Sequence, residues 1–205
     1  MDQKDRMLSG KLYKVEGKTL YDAHKKSKRL LDAFNTTKFE EKEKRLEIIH
    51  DLFERFGERG FITPPFHCDY GMNVSIGDDF YANYDCILLD VNRIVIGDRV
   101  MFGPRVSLLT ASHPIDKEVR NAGLEFGLPI TIGDDVWFGG NVTVNPGVTI
   151  GSNVVIGSGA VVTKDIPDNV LAAGNPCKVI RKITEEDKAY WEKKKAQYEE
   201  EMESS

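Results

Sequence analysis

The 205-residue chain lacks any run of apolar residues near the length of a membrane span, and its opening, MDQKDRMLSG, lacks the basic-then-apolar order of a signal peptide. It also lacks an excess of basic charge. The 28 Lys and Arg face 33 Asp and Glu, so the net charge is −5 and gives no electrostatic case for binding nucleic acid or a membrane. Only three cysteines are present, Cys68, Cys86 and Cys177, and their wide spacing fits neither a disulfide framework nor a CxxC-type zinc site. We therefore expect one main domain in the cytoplasm, with buried thiols.

The sequence does contain a repeat of six residues, which runs from residue 132 as IGDDVW, FGGNVT, VNPGVT, IGSNVV, IGSGAV and VTKDIP. Every first position is apolar: Ile132, Phe138, Val144, Ile150, Ile156 and Val162. Every fifth position is apolar as well: Val136, Val142, Val148, Val154, Ala160 and Ile166. The positions between them are rich in residues that permit turns. Each unit predicts a turn and a short strand, and successive units must wind into a coil that buries both columns.

A less regular copy of the repeat precedes this one, with apolar residues at Ile76, Ala82, Leu88, Ile96, Phe102 and Leu108. Continued in sixes, the column breaks at Pro114, Arg120 and Phe126. We interpret residues 109–130 as a loop that leaves the coil, with His113 at its root. A β-sandwich of short strands is the alternative fold, but sandwich strands are not spaced by a fixed six residues.

Helices are predicted at both ends of the chain. In the N-terminal part, YDAHKKSKRLLDAFN predicts one helix and TKFEEKEKRLEIIHDLFERFG predicts another. Thr37 and Glu40 fit a capping box at the start of the latter helix, and Gly57 fits its end. The chain is expected to divide into three parts: a helical region at 1–58 that covers an end or flank of the coil, the coil itself at 59–181, and a charged helical tail at 182–205.

Further motifs follow one another in a fixed order: MLSGKLY, PPFHCDYG, FYANYDCILLD, LLTASHP, GLEFGLPITIGDDVWFGGN and VVTKDIPDNVLAAGNPCKVIR. In order and spacing they resemble the maltose and galactoside O-acetyltransferases, over nearly the whole chain apart from its C-terminal tail. The resemblance implies a mainly β protein, a left-handed parallel β-helix with an N-terminal helical region and a C-terminal helix. It further implies transfer of an acetyl group from acetyl-CoA, a co-substrate, to a sugar hydroxyl without a metal. The family forms homotrimers with active sites between adjacent subunits.

His113 in ASHP corresponds to the general base of this family. A sugar hydroxyl is a poor nucleophile, and a neutral imidazole is well suited to remove its proton near pH 7. A loop histidine with a structural hydrogen bond is the alternative. Glu125, at the far end of the same loop, either holds the imidazole tautomer or is an ordinary solvated glutamate. Asn83 in YAN corresponds to a family residue near the reacting centre.

The acceptor is expected to contact Tyr81, Asn83, Asp69 and Asp90. A carboxylate suits this role because it accepts hydrogen bonds from two sugar hydroxyls. For the two aspartates the alternative is a turn or capping role. The galactoside enzymes have a serine in place of Asp69, and the N-terminal acceptor aspartate of the family is absent from LYKVEG. The sequence therefore leaves maltose, glucose and galactosides open as acceptors.

The resemblance assigns the donor site more fully. A backbone N–H around Gly140 would face the developing oxyanion, and three residues would contact the pantetheine and nucleotide end: Ser158, Thr163 and Lys164. Lys178 and Arg181 in CKVIR would supply positive charge for the phosphates. Trp137 points out of its strand and is expected to line this groove or a subunit contact.

The same scaffold leaves other functions open. A zinc hydratase of the γ-carbonic anhydrase kind needs three converging histidines, and the coil region holds only His67 and His113. A β-helix that binds a partner without turnover is the non-enzyme alternative. Among acyltransferases, the other acceptors are an antibiotic, serine or a nucleotide-linked amino sugar.

Overall fold

The computed structural model describes residues 2–204. Within them the helices are α1 Gln3–Leu8, α2 Lys18–Asn35, α3 Lys42–Leu52, α4 Lys117–Asn121 and α5 Glu185–Glu203. The strands are β1 Arg55–Phe56, β2 Phe61–Ile62, β3 Phe66–Cys68, β4 Val74–Ile76, β5 Tyr81–Ala82, β6 Cys86–Leu89, β7 Ile94–Ile96, β8 Met101–Phe102, β9 Ser107–Leu109, β10 Ala111–Ser112, β11 Phe126–Gly127, β12 Ile130–Ile132, β13 Trp137–Phe138, β14 Thr143–Val144, β15 Thr149–Ile150, β16 Val154–Ile156, β17 Val161–Val162, β18 Val170–Ala173 and β19 Lys178–Lys182.

The short strands wind into a coil with three faces. The first face is the sheet β1-β4-β7-β12-β15, and the third is β17-β14-β9-β6-β3. The second is β19-β18-β16-β13-β8-β5-β2, in which β19 alone runs antiparallel to its neighbour. Each turn of the chain visits the three faces in order, so equivalent residues of successive turns stack. The prediction of a coil built from six-residue units is confirmed.

The interior of the coil is made of the predicted apolar columns. All twelve residues of the two columns between 132 and 166 are at most 5% exposed. Phe80, Phe102 and Phe138 continue the stack with edge-on ring contacts, their centroids 5.1 and 4.9 Å apart. At the bends the coils come close together, because a Cβ on Gly97 would lie 2.8 Å from the carbonyl oxygen of Gly133. Glycine fits there because it has no side chain.

The corners between faces have different characters, and we name them by residue. The aspartate corner joins the first and second faces at residues 77–79, 97–99, 133–135 and 151–153. The stacked corner joins the second and third faces at residues 83–85, 103–105, 139–141 and 157–159. The loop corner joins the third face to the first at residues 69–73, 90–93, 110–129, 145–148 and 163–165.

The N-terminal helices close one end of the coil. Leu30, Phe34, Ile49 and Leu52 from α2 and α3 belong to the same buried cluster as the coil interior. The second helix is shorter than predicted, because α3 starts at Lys42 and ends at Leu52 rather than reaching Gly57. Residues 55–56 pair instead with β4 as the first coil strand.

The predicted capping box is wrong as well. The Thr37 hydroxyl donates to the Phe34 carbonyl at the end of α2, and Glu41 precedes α3 without a side-chain cap. Thr37 therefore hydrogen-bonds the end of α2 and does not cap the start of α3.

The external loop and the C-terminus complete the fold. Residues 110–129 leave the coil between β9 and β12, and β10 and β11 pair antiparallel at the base of this loop. The C-terminal helix is confirmed as α5, and the N–H of Thr184 donates to Asp187 in its first turn. The three cysteines are buried and free, as predicted. Residues 2–204 contain no helix of the length and apolar character that a membrane crossing requires.

Candidate active site

The root of the external loop is fixed by two buried polar side chains. The Thr110 hydroxyl donates to the Leu89 carbonyl at 2.6 Å and accepts the N–H of Asn92 at 2.9 Å. The Asn92 amide in turn donates to the carbonyls of Gly127 (2.8 Å) and Met7 (3.2 Å). The start of the loop, its return and the N-terminal helix are therefore held together at the loop corner, and His113 lies three residues beyond Thr110.

His113 and Glu125 lie together at this corner. The imidazole is 56% exposed, and its Nε2 is 3.7 Å from Oε2 of Glu125, whose side chain is only 19% exposed. This separation is too long for a hydrogen bond but close enough for charge attraction, and catalytic contacts often shorten when substrate binds. The structure thus places Glu125 next to His113, as the interpretation of Glu125 as a partner of the imidazole requires.

Tyr13 completes the contact and was missed by the sequence analysis. Its hydroxyl donates a hydrogen bond to Oε1 of Glu125. The backbones of these two residues also pair, with N–H to carbonyl distances of 2.9 and 3.1 Å. Burial first, and then the hydrogen bond and charge of Glu125, hold the pKa of Tyr13 well above its ordinary value. Tyr13 is the tyrosine of MLSGKLY, but one aromatic residue in a sequence does not by itself predict a role at an active site.

Asp69 lies at the same corner. Burial raises the pKa of its carboxyl, the charges of Lys28 and His24 lower it, and that of Glu125 raises it. Lys28 and His24 stand on α2, and neither was singled out in the sequence. The ammonium of Lys28 also donates to the Cys68 carbonyl at 3.2 Å. An acidic corner flanked by two basic side chains is suited to a polar, hydroxyl-rich ligand.

Asp90 does not fit the acceptor role expected of it. The residue is fully buried, and its carboxylate accepts the backbone N–H groups of Asp69 (3.1 Å), Tyr70 (2.9 Å) and Asn73 (3.3 Å). Burial is the main cause that raises the pKa of Asp90 to about 7. The structure instead gives Asp90 the turn role that was the alternative expectation.

A second group of expected residues lies at the stacked corner. Asn83 and Gly139 occupy equivalent places in the coil, because their N–H groups donate to Phe102 and Ile156, the last residues of neighbouring strands. The Gly140 carbonyl accepts the N–H of Gly159 at 2.9 Å, which places Ser158 directly beside Gly139 and Gly140. Asn83, Gly139, Gly140 and Ser158 therefore stack along the same corner in successive turns of the coil.

Tyr81 and Trp137 point outward from the second face, just before the stacked corner. Both pair through their backbones with Met101, which stands between them in register. Tyr81 is 38% exposed and Trp137 is 50% exposed. The outward position expected for Trp137 is the one observed.

Thr163 and Lys164 lie on the loop corner, above the root of the loop. The strand that precedes them, β17, stacks on β14 and then on β9, with Val162, Val144 and Leu108 in register. The stacked corner lies across the third face, five residue steps or roughly 15 Å away. Within one chain the expected site residues therefore form two groups at two different corners.

The basic residues of CKVIR differ in their surroundings. Lys178 begins β19 opposite Ala173 and is exposed. Arg181 is also exposed, but its guanidinium makes a two-pronged contact with Asp187, with both distances 2.7 Å. A phosphate would have to share or replace that partner, so the charge expected from Arg181 is already partly used.

The residues fit acetyl-CoA in kind, because Ser158, Thr163, Lys164 and Lys178 are exposed and offer two hydroxyl and two ammonium groups to its polar parts. Val161 of β17 connects the coil to the segment that precedes Lys178, because its N–H donates to the Gly174 carbonyl and its own carbonyl accepts the N–H of Cys177. Among residues 2–204, no three His, Cys, Asp or Glu side chains are grouped so that they could hold a metal ion.

Comparisons with known proteins agree with this geometry. Residues 129–164 match the family model of the bacterial transferase hexapeptide (six repeats), and residues 6–57 match the maltose acetyltransferase hexapeptide capping motif. These two matches define a hexapeptide-repeat transferase with a capping region.

Three relatives show to which family the chain belongs. The chain is 44% identical to the galactoside O-acetyltransferase of Escherichia coli over 93% of this chain and 94% of that one. The crystal structure of a maltose O-acetyltransferase from Clostridium difficile matches with a TM-score of 0.89 and 51% identity over 90% and 98% of the two chains. A hexapeptide-repeat acetyltransferase of Vibrio cholerae, solved with acetyl-CoA, matches with a TM-score of 0.83 and 34% identity over 90% and 100%.

The chain belongs to the maltose and galactoside O-acetyltransferase family. The expected left-handed β-helix is confirmed, as are the enzyme class, an acyl-CoA-dependent acetyltransferase, and acetyl-CoA as its co-substrate.

Proposed function

We propose that the protein transfers the acetyl group of acetyl-CoA to a hydroxyl of a sugar by direct attack in a ternary complex, with His113 as general base. The observation that carries this proposal is the exposed His113 imidazole beside the largely buried Glu125 carboxylate at the loop corner. An exposed imidazole at a corner can meet two substrates at once, and the adjacent carboxylate stabilises it when it takes up a proton.

The residues divide the chemistry among them. Acetyl-CoA supplies an acyl group activated as a thioester. His113 removes the hydroxyl proton as the oxygen attacks the acyl carbon, and it returns that proton to the departing sulfur. Asn83 and a backbone N–H near Gly140 face the carbonyl oxygen as negative charge develops on it, an interaction typically worth about 10²–10³ in rate.

The remaining site residues bind the two substrates. Asp69 and Tyr81 contact the acceptor, with Asp69 accepting hydrogen bonds from sugar hydroxyls. Trp137 lines the donor groove, and four residues hold the pantetheine and phosphates: Ser158, Thr163, Lys164 and Lys178. Arg181 contributes if it exchanges Asp187 for phosphate. Maltose, glucose and galactosides all stay open as acceptors, since the galactoside enzymes have an apolar residue in place of Glu125 and a serine in place of Asp69.

We also propose a homotrimer in the cytoplasm, with the helical region 1–58, the coil 59–181 and the tail 182–205 as the parts of each subunit. The two corners that hold the site residues are separated by the third face within one chain, so a complete site needs the stacked corner of a neighbour. Outward apolar side chains in register on the second face support such packing, namely Tyr81, Met101 and Trp137. Three free cysteines suit a reducing compartment.

The test is acetyl-CoA consumption with glucose, maltose, galactosides, serine and chloramphenicol, for the parent and His113→Ala. We expect turnover with a sugar and a loss of about 10²–10⁴ in the variant. His50→Ala, a histidine of α3 next to Phe56, is the control and should keep parental activity. No turnover with any hydroxyl acceptor contradicts the function, and equal rates for His113→Ala and the parent contradict the assignment of the base.

A further inference from the structure

We propose that Tyr13 is a positioning residue of the reaction: its hydroxyl fixes the Glu125 carboxylate so that the second carboxylate oxygen faces His113. The inference rests on the proposed function, because it gives Tyr13 a role only through the base. It extends the active site to the segment between the first two helices.

The contacts of Glu125 leave its carboxylate one orientation. Oε1 accepts the Tyr13 hydroxyl, and Oε2 lies 3.7 Å from Nε2 of His113. The two backbone hydrogen bonds between Tyr13 and Glu125 bind the N-terminal segment across the returning part of the loop. Tyr13 is 1% exposed and Glu125 largely buried, so neither side chain has room to move independently. The imidazole, in contrast, is more than half exposed and needs a fixed partner.

The surroundings of Glu125 show why a fixed donor matters. Four groups face this carboxylate through contact or charge: Tyr13, His113, Asp69 and Tyr70. Beyond them, Lys28 and His24 of α2 face Asp69. Without the Tyr13 hydroxyl, a long glutamate side chain between an acidic neighbour and a basic helix could turn toward α2 or toward solvent. The Tyr13 hydroxyl, which burial keeps protonated, holds it toward the imidazole.

The experiment is a double-mutant cycle on the full chain with the best acceptor from the panel. We expect Glu125→Gln to lower kcat about 10- to 100-fold and Tyr13→Phe to lower it about 10-fold, with KM for acetyl-CoA and acceptor within about 2-fold of the parent. In the Glu125→Gln background, Tyr13→Phe should cost less than about 2-fold more, because the group it positions is already altered. A merely structural tyrosine would instead lower the unfolding temperature and give the same factor in both backgrounds.

Tyr70→Phe is the matched control, since Tyr70 is also buried and feels the charge of Glu125 but donates no hydrogen bond to it in the described structure. It should keep parental kcat. If Tyr13→Phe does not fold, Glu125→Asp replaces it, because the shorter side chain cannot reach both partners. It should show the same loss of kcat at unchanged KM.

The outcomes separate the two proposals. Parental kcat in Tyr13→Phe, or equal losses in both backgrounds, overturns the role of Tyr13 and leaves the proposed function standing. A parent without acetyl transfer to any hydroxyl overturns the proposed function and this inference with it.

Discussion

The aspartate corner and the loop corner use the same contact in two different environments. At the aspartate corner, Asp98 and Asp134 each accept a backbone N–H from the preceding coil at 2.8 Å. At the loop corner, Asp90 accepts three backbone N–H groups from the preceding coil. Asp98 keeps 41% of its side chain in solvent, whereas Asp90 has none. The same bonding pattern is therefore solvated at one corner and desolvated at the other.

The difference follows from what covers each corner. At the aspartate corner each turn is succeeded by a similar one, and Arg59 and Arg99 lower the pKa values of their partners Asp79 and Asp135 by hydrogen bonding and charge. At the loop corner the N-terminal segment and the external loop exclude water. Burial there raises the pKa values of Asp69, Asp90, Tyr13 and Tyr70, the last to about 12. Groups with perturbed protonation collect where the repeat is interrupted, which is typical of functional sites.

The largest contrast is expected from removing the two carboxylates. Asp90→Ala leaves three buried N–H groups without an acceptor and should cost about 3–5 kcal/mol of unfolding free energy. Asp98→Ala exposes its N–H partner to water and should stay within about 1 kcal/mol of the parent. Urea unfolding of both variants measures the difference. Equal losses would mean that the two corners do not differ in solvation.

A smaller contrast concerns pH. The folded pKa of Asp90, about 7, lies above the unfolded value of about 3.9, so the folded state binds more protons between these limits. The contribution of Asp90 to the free energy of unfolding is complete below about pH 4, and it falls by up to about 4 kcal/mol as the pH rises to 7. Asp90→Asn should flatten the decline of unfolding free energy over that window. Parallel curves for the variant and the parent would show that Asp90 does not titrate there.

The regular part of the coil could be predicted from the sequence because its causes are local. Each six-residue unit carries its own turn residues and its own two buried positions, so the columns from Ile132 to Ile166 identify the interior directly. The break at Pro114, Arg120 and Phe126 locates the external loop in the same way. The position of His113 at its root followed without any knowledge of the tertiary contacts.

The rest of the site depends on contacts that are distant in sequence. Tyr13 and Glu125 are 112 residues apart. Asp90 is buried where the N-terminal segment and the external loop cover the corner, so its position in the sequence could not distinguish an acceptor ligand from a turn carboxylate. Arg181 has a nearer partner in Asp187, but that contact depends on where α5 begins. The proposed assembly of the two corners into one site would depend on neighbouring subunits, about which one sequence says nothing directly.

The smallest effect is expected at the aspartate corner itself. Arg99 makes a two-pronged contact with Asp135, at 2.6 and 2.9 Å, but both side chains are about half exposed. Exposed ion pairs are screened by salt and offset by the entropy of ordering two side chains. Arg99→Gln should therefore shift the unfolding temperature by no more than about 2 °C, and the shift should vanish in 1 M salt, where the Debye length is about 3 Å. A larger shift that persists in 1 M salt would show that the ion pair of Arg99 and Asp135 is shielded from water. The aspartate corner would then not differ from the loop corner in its exposure to solvent.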